Sequence, residues 1–592
     1  METGSLISYL KNHPESSRSQ IKQGIAFLES ESSLKRLLAE ALHEGSIIKI
    51  GSGKNTRYSC AGVSDLRRRY PDGIQTFEKI ISGGYVYVDK TDLIYRLTHE
   101  SSRNLFLSRP RRFGKSLLIS TLQAYFEGRK ELFDNLAISR LEKKWSAYPV
   151  IRLDLSTAGD ALDSDQLYLK LGNILKENEE RFGLTPEEML PGERLYALVR
   201  RVYEKTGSEV VLLIDEYDAP ILTSLWDEPK NNLFRAIVKE LFSPIKKLDP
   251  YLHFTFLTGI TKFSQMSIFS TLNNLNDISM DDEYASLCGF TEDEVEGVFD
   301  REINELAQKE GADKEAAARA LKQRYDGYHF SPACIDIYNP YSILRVFSSM
   351  RMGDYWFASG TPTVLFDTLR HFNMDLYDID GVEVTASAFS QPTEMVNNAV
   401  SLFYQSGYLT IKSFSEEFDT YVLSIPNAEV RAGLMDNLMP IALGKSQIES
   451  QNVAIRFKRA LVQNDIDQAI SVLKGFFASI PYPEFGSAGK VSFTEKEAYF
   501  KRLFYLVFSF MNIQIYTEVM NSEGRTDAVM YIGDKVYVIE AKLDAASAQE
   551  AINQINTKGY ADRFLGTGVQ VKKLGLNFSS KTRTIADWMI SD

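Results

Sequence analysis

The 592-residue sequence has few of the residues that build metal clusters and disulfide frameworks, with only three cysteines and six histidines. Cys60, Cys288 and Cys334 lie far apart and lack the spacing of a zinc site, which suits a reducing cytosol. No apolar run approaches the roughly 20 residues of a membrane span, and the N-terminus lacks a charged-then-apolar signal pattern. We therefore expect a cytoplasmic protein with no membrane segment.

The sequence also lacks an excess of basic charge. Its formal net charge of −12 argues against a protein that coats nucleic acid with its whole surface, although a local basic site is still compatible with it. The apolar content of 44% and the charged content of 25% are globular values. At roughly 150 residues per domain, the length predicts about four domains.

A candidate phosphate-binding loop lies between a short apolar strand at residues 105–107 and a helix. Gly114, Lys115 and Ser116 end the basic loop, and apolar residues at helical spacing follow. A helix N-terminus attracts phosphate through its free N–H groups and its dipole. We expect Lys115 to reach the β- and γ-phosphates of ATP and Ser116 to hold Mg²⁺. The predicted nucleotide-binding residues are Arg109, Pro110, Arg111, Arg112, Phe113, Gly114, Lys115 and Ser116.

This loop departs from the standard pattern at its first position. The pattern G-x-x-x-x-G-K-S has glycine where this sequence has Arg109. On spacing alone, an ordinary helix start is about as good an interpretation of Gly-Lys-Ser. A second motif is therefore needed to favour a nucleotide site.

An apolar run that ends in acids supplies that second motif. Residues 210–214 suit a strand buried on both faces of a parallel sheet, and Asp215 and Glu216 follow at its carboxyl end, where ligands bind. We expect Asp215 to hold Mg²⁺, directly or through water, and Glu216 to polarise the attacking water. The alternative is a buried strand with solvated acids. Thr258, at the end of a later strand, either senses the γ-phosphate or satisfies a backbone group.

Residues 1–62 form a separate pattern of three helices followed by a basic-tipped hairpin, and residues 63–72 are a polar linker. Helices before such a hairpin resemble a winged helix-turn-helix domain. The alternative is a winged helix that contacts protein, because basic residues exceed acids only slightly. Four residues are predicted to meet DNA phosphates: Lys35, Arg36, Lys54 and Arg57.

The middle of the chain resembles a bacterial family of predicted AAA-like ATPases, whose members commonly carry a PD-(D/E)XK nuclease-like domain at the C-terminus. The resemblance covers roughly residues 72–592. In that family arginines also precede Phe-Gly-Lys-Ser, so Arg109 is compatible with it. The segments that carry the resemblance are Ile74–Phe77, Tyr85–Thr91, Ser108–Ser116 and Leu213–Ala219.

The predicted fold class is a multidomain α/β protein, because strands alternate with helices around the two ATP motifs. An AAA-like P-loop core with a parallel sheet, a helical lid or connector, and a restriction-endonuclease-like α/β domain follow the N-terminal module. Their predicted ranges are 73–290, 291–484 and 485–592. AAA-type ATPases often complete their sites with a neighbour's arginine, so a homo-oligomer is one expectation. Arg111, Arg112 and Arg324 are the candidates.

A second chemistry is predicted at residues 526–542, which form two strands around a turn at 533–534. A two-residue turn there places Asp527 opposite Glu540, and Lys542 points to the same face. Two carboxylates hold Mg²⁺, which activates water and offsets charge on a phosphodiester. We expect Lys542 to orient or deprotonate the water, or to stabilise the pentacovalent state. The alternative is a pair of amphipathic strands with chance acids.

The set Asp, spacer, Glu-x-Lys resembles the PD-(D/E)XK pattern, with Thr526 in place of the proline. Upstream, Glu497 shares a helix face with Phe500 and Phe504, and an acid on a buried face needs a reason. The resemblance implies a helix glutamate near the metal, whereas the alternative is a first-turn acid favoured by the helix dipole. Downstream, Gln554 resembles the family's polar residue after the core, although a solvated residue is the favoured interpretation.

The leading hypothesis is an enzyme that binds and hydrolyses ATP and cleaves nucleic acid, DNA rather than RNA, with Mg²⁺ and under the control of ATP. The alternative is an ATP-dependent switch or DNA-binding regulator whose nuclease fold is an inert scaffold. The joint presence of Asp527, Glu540 and Lys542 favours the enzyme.

Overall fold

The computed structural model covers most of the chain. No helix among the residues it describes is long and apolar enough to cross a bilayer. For some helix and strand residues the structure describes the backbone but not the side chain, and Asp527 is one of them. The residues not described are 1–5, 8, 11–12, 14, 26–29, 44–45, 51–55, 61–67, 101, 263–274, 359–367, 369–379, 386–398, 444–446, 479–513, 522–523, 533–534, 565–568, 583 and 592.

The N-terminal segment contains helices followed by an antiparallel hairpin. A capping box between Ser17 and Gln20 starts the helix Arg18–Gly24. Leu10, Ile21 and Tyr58 belong to a small core of their own. The sequence predicted helices followed by a hairpin, and the structure has this order. Binding of DNA by this segment stays a prediction. The elements are α1 (Arg18–Gly24), α2 (Glu31–His43), β1 (Ile47–Ile50) and β2 (Arg57–Cys60).

Five parallel strands form the central sheet, in the order β4–β5–β6–β3–β7. β5 is buried along its whole length, as its apolar run predicts. Because only β6 separates β3 from β5, the loop after β3 and the acids after β5 meet at one edge of the sheet. The strands are β3 (Asn104–Ser108), β4 (Val150–Asp154), β5 (Val210–Asp215), β6 (Leu252–Gly259) and β7 (Asn276–Asp277).

Helices cover both faces of this sheet, because its strands alternate between two cores. Leu105 and Leu107 of β3 pack in one core with α4 and α5, whereas Phe106 packs in the other with α7, α8 and α10. The predicted P-loop-like α/β core is confirmed. The helices are α3 (Phe77–Ser82), α4 (Thr91–His99), α5 (Lys115–Phe126), α6 (Ile138–Leu141), α7 (Ser164–Arg181), α8 (Pro191–Thr206), α9 (Ala219–Leu222) and α10 (Glu228–Phe242).

A largely helical region follows the central sheet. It contains α11 (Glu292–Val298), α12 (Asp300–Glu310), α13 (Lys314–Tyr325), α14 (Pro340–Ser349), α15 (Tyr355–Ala358), α16 (Val400–Gln405), α17 (Ala428–Leu443), α18 (Gln447–Val462) and α19 (Ile466–Ala478).

Strands that sequence analysis missed lie between these helices. One pair is antiparallel, and three others form a sheet in the order β10–β12–β11. β-Branched and aromatic residues in β12 (Thr420, Tyr421 and Val422) are the local signal that would have indicated a strand. The strands are β8 (Phe290–Thr291), β9 (Ile337–Tyr338), β10 (Val382–Thr385), β11 (Thr410–Ser415) and β12 (Thr420–Ser424).

The C-terminal region is a five-stranded mixed sheet in chain order. β15 and β16 are parallel and are joined through α20, whereas the other neighbours are antiparallel. Helix α19 packs against β17, and the ring of its Phe477 lies 5.0 Å from that of Phe578. The elements are β13 (Gln514–Asn521), β14 (Gly524–Ile532), β15 (Lys535–Leu543), α20 (Gln549–Thr557), β16 (Gln570–Ser579) and β17 (Thr584–Ser591).

Candidate functional site

A cavity of about 400 Å³ opens beside the loop that joins β3 to α5. Its polar lining comes from this loop, from Glu216 just after β5, and from Gln75, Lys90 and Thr121. Apolar side chains complete it, among them Val86, Phe290, Tyr341 and Leu344. Apolar walls with a few converging polar groups are typical of a small-molecule site. The predicted residues that line the cavity are Arg111, Arg112, Phe113, Gly114, Lys115, Ser116 and Glu216.

The N-terminus of α5 faces this loop. Gly114, which precedes the helix, has a φ of 97°, a conformation that favours glycine. Lys115 is buried, and its Nζ donates to the carbonyl oxygens of Arg109 (2.9 Å) and Pro110 (3.0 Å). Burial lowers the pKa of Lys115, and the nearby Asp215 and Glu216 carboxylates oppose that shift. Because the ammonium is bonded to neutral carbonyls, phosphate oxygens can replace them.

Asp215 is a buried acid at the carboxyl end of β5. Its Oδ1 accepts a hydrogen bond from the Glu216 N–H (3.0 Å), and its Oδ2 has no hydrogen-bond partner among the described residues. Burial raises the pKa of Asp215, and the Ser116 hydroxyl and the Lys115 ammonium oppose the rise. An unsatisfied buried carboxylate oxygen near a hydroxyl fits Mg²⁺, which takes oxygen ligands.

Glu216 has a left-handed backbone with a φ of 49°, which is strained for a residue other than glycine. Burial raises the pKa of its carboxyl group. A carboxyl group with a raised pKa that lines a cavity is suited to proton transfer.

Asp218 is a further acid of this motif that sequence analysis did not single out. It is buried, and its Oδ2 accepts from the N–H groups of Ile260 (2.9 Å) and Thr261 (2.7 Å) and from the Thr261 hydroxyl (2.8 Å). These bonds fix the end of β6 beside the acids of β5. The signal was the third acid in the run Asp215-Glu-Tyr-Asp218.

The structure corrects the prediction for Arg109 and Pro110, which do not line the cavity. The buried Arg109 guanidinium donates to the carbonyl oxygens of Ser108 (2.9 Å), Ser279 (2.8 Å) and Tyr284 (3.0 Å). It also lies 4.4 Å from the Phe330 ring centroid. Its side chain therefore braces the loop from behind.

Thr258 also lies outside the cavity lining. Its buried hydroxyl donates to the Leu107 carbonyl oxygen (2.8 Å), which is the structural one of its two predicted roles. The γ-phosphate sensor role stays a prediction. Arg324 is held by an ion pair with Asp354 (2.6 Å) and does not line the cavity either.

The register of β14 with β15 runs from Ile532 opposite Lys535 to Ala528 opposite Ile539. Asp527 is the next residue of β14, one step towards Glu540, as the two-residue turn predicts. Its side chain lies outside the described residues. The backbone thus brings the predicted acids to neighbouring strands.

Glu540, Lys542 and Gln554 form a connected cluster. Glu540 is buried, and its Oε1 accepts from the Lys542 ammonium (3.0 Å) and from the Gln554 amide (2.5 Å). The Lys542 ammonium also donates to the Gln554 Oε1 (2.5 Å). The interpretation of Gln554 as a solvated residue is therefore wrong.

Close packing of α20 on β16 puts Gln554 in place. Gly575 pairs with Glu540 across the parallel strands. A Cβ atom on Gly575 would lie 2.6 Å from the Ala548 carbonyl oxygen and 3.1 Å from Ile552 Cγ1, so a larger residue would push the helix away. Sequence analysis missed Gly575, because its partner depends on the register of two strands joined through a helix.

Comparisons with known proteins agree with both sites. A family model described as a predicted AAA-ATPase matches residues 71–269, and a model of the PD-(D/E)XK nuclease superfamily matches residues 495–588. An uncharacterized protein in the vnfD 5′ region of Azotobacter chroococcum mcd 1 is 34% identical over 532 residues, covering 88% of this chain and 99% of that protein. The chain belongs to this family of predicted AAA-ATPases with a C-terminal PD-(D/E)XK domain.

The AAA-ATPase match contains the loop after β3 and the acids after β5, and the PD-(D/E)XK match contains β14, β15 and α20. Such domains imply use of a nucleotide and of a divalent metal. In the part of the chain that the structure describes, no group of three or more histidine, cysteine or acidic residues could hold a metal ion. Glu540 and Asp527 stay the predicted metal ligands of the PD-(D/E)XK domain.

The structure does not test the predicted roles of five further residues. Glu497 and Lys54 lie outside the described residues. Lys35, Arg36 and Arg57 are exposed in the N-terminal segment, which neither family model covers. Their contact with DNA stays a prediction.

Proposed function

We propose that the protein hydrolyses ATP in its AAA-ATPase domain and uses the nucleotide state to control Mg²⁺-dependent cleavage of DNA in its PD-(D/E)XK domain. The observation that carries the proposal is the cluster of Glu540, Lys542 and Gln554. It joins an acid that can hold a metal to a lysine that can act on water.

In the ATPase reaction, Lys115 would exchange its two carbonyl partners for the β- and γ-phosphates. Ser116 and Asp215 would hold Mg²⁺, which offsets the charge on the phosphates when bound. Glu216 would take a proton from the water that attacks the γ-phosphate. The raised pKa of Glu216 supports this role, because a base works best when its pKa lies near the operating pH.

In the cleavage reaction, Asp527 and Glu540 would hold Mg²⁺, which activates water when bound. Lys542 would orient or deprotonate that water, or stabilise the pentacovalent phosphate. Gln554 would hold the lysine and the glutamate in one geometry through its two hydrogen bonds. Preorganised side chains of this kind lower the barrier without a reorganisation cost during the reaction.

Control by ATP is supported by contacts that leave the phosphate loop. The Trp356 indole N–H donates to the Arg111 carbonyl oxygen (3.0 Å). The backbone N–H groups of Tyr355 (2.5 Å) and Trp356 (2.8 Å) donate to the buried Glu429 carboxylate on α17. When phosphate takes Lys115 from its carbonyl partners, the change at the loop would therefore reach α17 through these bonds.

These contacts continue to the PD-(D/E)XK sheet. Helix α17 packs on α18, α18 on α19, and α19 on β17. The Thr584 hydroxyl of β17 donates to the Lys474 carbonyl oxygen of α19 (3.0 Å), and Lys535 of β15 donates to Asn464 (2.8 Å). A continuous set of packed elements is a physical route for coupling the two sites, and measurement must establish the coupling itself.

DNA is the favoured substrate, and the N-terminal segment would contribute to binding it. Lys35, Arg36, Lys54 and Arg57 would contact phosphates, which position a protein on nucleic acid without reading its sequence. We place this activity in the cytoplasm. A homo-oligomer is compatible with the proposal but is not needed for either set of residues.

The test is cleavage of linear and circular DNA with Mg²⁺, with and without ATP, by the wild-type protein and the Lys542→Ala variant. We expect ATP-dependent cleavage that the variant loses. Cleavage that does not depend on ATP but is lost in the variant would support the nuclease site and refute the control by ATP. No cleavage, or cleavage that survives in the variant, would refute this nuclease site and favour a nucleotide switch with an inert nuclease fold.

A further inference from the structure

Phosphoryl transfer needs positive charge beside the γ-phosphate, and an arginine from the same chain or from a neighbour often supplies it. Three arginines are candidates from their sequence positions, and Arg109 of the same loop is a fourth to consider. Arg109 is buried on backbone carbonyls behind the loop. Arg324 is paired with Asp354 outside the cavity. Neither is available to a bound phosphate.

The two remaining arginines line the cavity but differ in their surroundings. The Arg112 guanidinium carbon lies 4.9 Å from the Tyr341 ring centroid, so its charge already has a cation–π partner. The Arg111 side chain is exposed at the cavity. Within the described part of the chain, its guanidinium makes no hydrogen bond or ion pair. Among the described residues, Arg111 is therefore the cavity arginine whose guanidinium is held neither by a ring nor by a hydrogen bond, so it can turn towards a bound anion.

The backbone of Arg111 is fixed although its side chain is open. Its carbonyl oxygen accepts from the Trp356 indole. The preceding Pro110 packs so closely on Gly407 that a Cβ atom there would lie 2.6 Å from Pro110 Cβ. The following Arg112 has a left-handed φ of 68°. A charged group on a fixed backbone is preorganised for a charge that develops during a reaction.

We propose that Arg111 is the catalytic arginine of this ATPase and that it acts within its own chain. The inference rests on the proposed ATP hydrolysis. Water attacks the γ-phosphorus in line, Glu216 takes a proton from the water, and the bond from phosphorus to the β,γ-bridging oxygen breaks. Arg111 donates hydrogen bonds to the phosphate oxygens that gain charge. The products are ADP and inorganic phosphate, and no further reactant is needed.

The first test compares full-length wild-type protein with Arg111→Ala and Arg111→Lys. We expect kcat for ATP hydrolysis to fall by about 10³-fold in Arg111→Ala, with a smaller loss in Arg111→Lys. Affinity for a fluorescent ATP analogue should change by no more than a few-fold, because Lys115 still binds the phosphates. Arg324→Ala removes an equal charge outside the cavity and should hydrolyse ATP as the wild type does.

The second test asks whether Arg111 acts on ATP bound by its own chain or on ATP bound by a neighbouring chain. Arg111→Ala and Lys115→Ala are each inactive, and a mixture should stay inactive when both residues must belong to the same chain. Recovered hydrolysis in the mixture, or an unchanged kcat in Arg111→Ala, would overturn the inference and leave the ATPase proposal intact. A wild-type protein that neither binds nor hydrolyses ATP would instead refute the proposed function, and the inference with it.

Discussion

Lys115 of the AAA-ATPase domain and Lys542 of the PD-(D/E)XK domain are held in opposite ways. Lys115 is buried, and its ammonium is bonded to two neutral carbonyl oxygens of its own loop. Lys542 is partly exposed and is bonded to the Glu540 carboxylate and the Gln554 amide. One ammonium thus faces weak partners in a buried place, and the other faces a charged partner nearer to water.

This difference indicates how strongly each lysine is held before its substrate binds. A phosphate oxygen carries a negative charge that attracts an ammonium, which a neutral carbonyl lacks, so Lys115 gains by leaving its carbonyls for phosphate. Lys542 already has a carboxylate as its partner, and in the proposed nuclease Glu540 would bind both the lysine and a metal. We therefore expect the ATPase loop to respond to its ligand more than the nuclease cluster does.

The largest expected effects come from removing the two lysines separately. Lys115→Ala should lower ATP hydrolysis by about 10³-fold, because it removes charge that stabilises the transition state. It should also abolish the effect of ATP on cleavage. Lys542→Ala should lower DNA cleavage by a similar factor and leave ATP hydrolysis within about twofold, because the two sites share no residue. Phosphate release and cleavage of labelled DNA measure the two activities.

The matched controls for these lysines are Lys246→Ala and Lys581→Ala, which remove exposed lysines from the same two domains. Both should keep both activities. If Lys542→Ala lowered ATP hydrolysis as much as cleavage, the comparison would fail, because the two lysines would then belong to one functional unit.

A second prediction concerns what braces the ATPase loop. Arg109→Gly restores the standard glycine but removes the hydrogen bonds that the guanidinium donates to the buried carbonyls of Ser279 and Tyr284. The Tyr284 carbonyl oxygen keeps the Leu287 N–H (3.1 Å) as a donor. We expect the variant to be less stable by about 1–3 kcal/mol, because the Ser279 carbonyl is left unsatisfied. Thermal unfolding measures the effect.

Arg112→Gly is the matched control on the same loop. Arg112 is exposed and has a left-handed φ of 68°, a conformation that glycine adopts without strain. We expect its unfolding temperature to match or exceed that of the wild type. Equal losses in the two variants would mean that the loop depends on arginine side chains in general, not on the buried brace of Arg109.

A third prediction concerns Glu429, the α17 carboxylate that accepts hydrogen bonds from Tyr355 and Trp356. Burial raises the pKa of Glu429 from its ordinary value of 4.5 to about 7. Because the folded protein then binds this proton more tightly than the unfolded chain, stability should fall as the pH rises from about 4.5 to about 7, and no further above it. At pH 8, Glu429→Gln should be more stable than the wild type by up to about 3 kcal/mol.

The glutamine can keep the hydrogen bonds from Tyr355 and Trp356, and the Ser342 hydroxyl, which now donates to Glu429, can accept from the amide instead. Unfolding temperatures at pH 5 and pH 8 measure the difference, which should be small at pH 5. A variant less stable than the wild type at pH 8 would show that the charged carboxylate stabilises the junction.

The local parts of this fold were predictable from the sequence. β5 follows from an apolar run bounded by charged residues, and the register of β14 with β15 follows from a two-residue turn. The order of the central sheet was not, because no local pattern states that β6 pairs between β3 and β5. The sheet β10–β12–β11 was missed inside a region whose pattern is mainly helical.

The candidate sites were also predictable from the sequence only in part. Glu540 and Lys542 were predictable because they lie two residues apart on one strand. The contact of Gln554 with them depends on how α20 packs on β16, and the burial of Arg109 depends on carbonyls far along the chain. An arginine in a basic loop is ordinarily solvated, so only the three-dimensional structure could reveal its role.

The smallest expected effect is that of Gln554→Ala, which separates the nuclease cluster into its parts. Without the amide, the bond between Lys542 and Glu540 alone fixes the lysine. Removing a partner that orients a metal ligand typically costs about 10- to 100-fold in activity or metal affinity. We expect slower cleavage and a higher Mg²⁺ requirement, with ATP hydrolysis unchanged.

Gln549→Ala is the control, because Gln549 begins the same helix, is exposed and bonds to Asn553 (2.9 Å). Cleavage rates over a Mg²⁺ titration compare the two variants. An equal loss in both would assign the effect to the helix and not to the amide. Unchanged cleavage in Gln554→Ala would mean that the bond between Lys542 and Glu540 is enough to orient both side chains. The nuclease cluster would then not depend on a third residue.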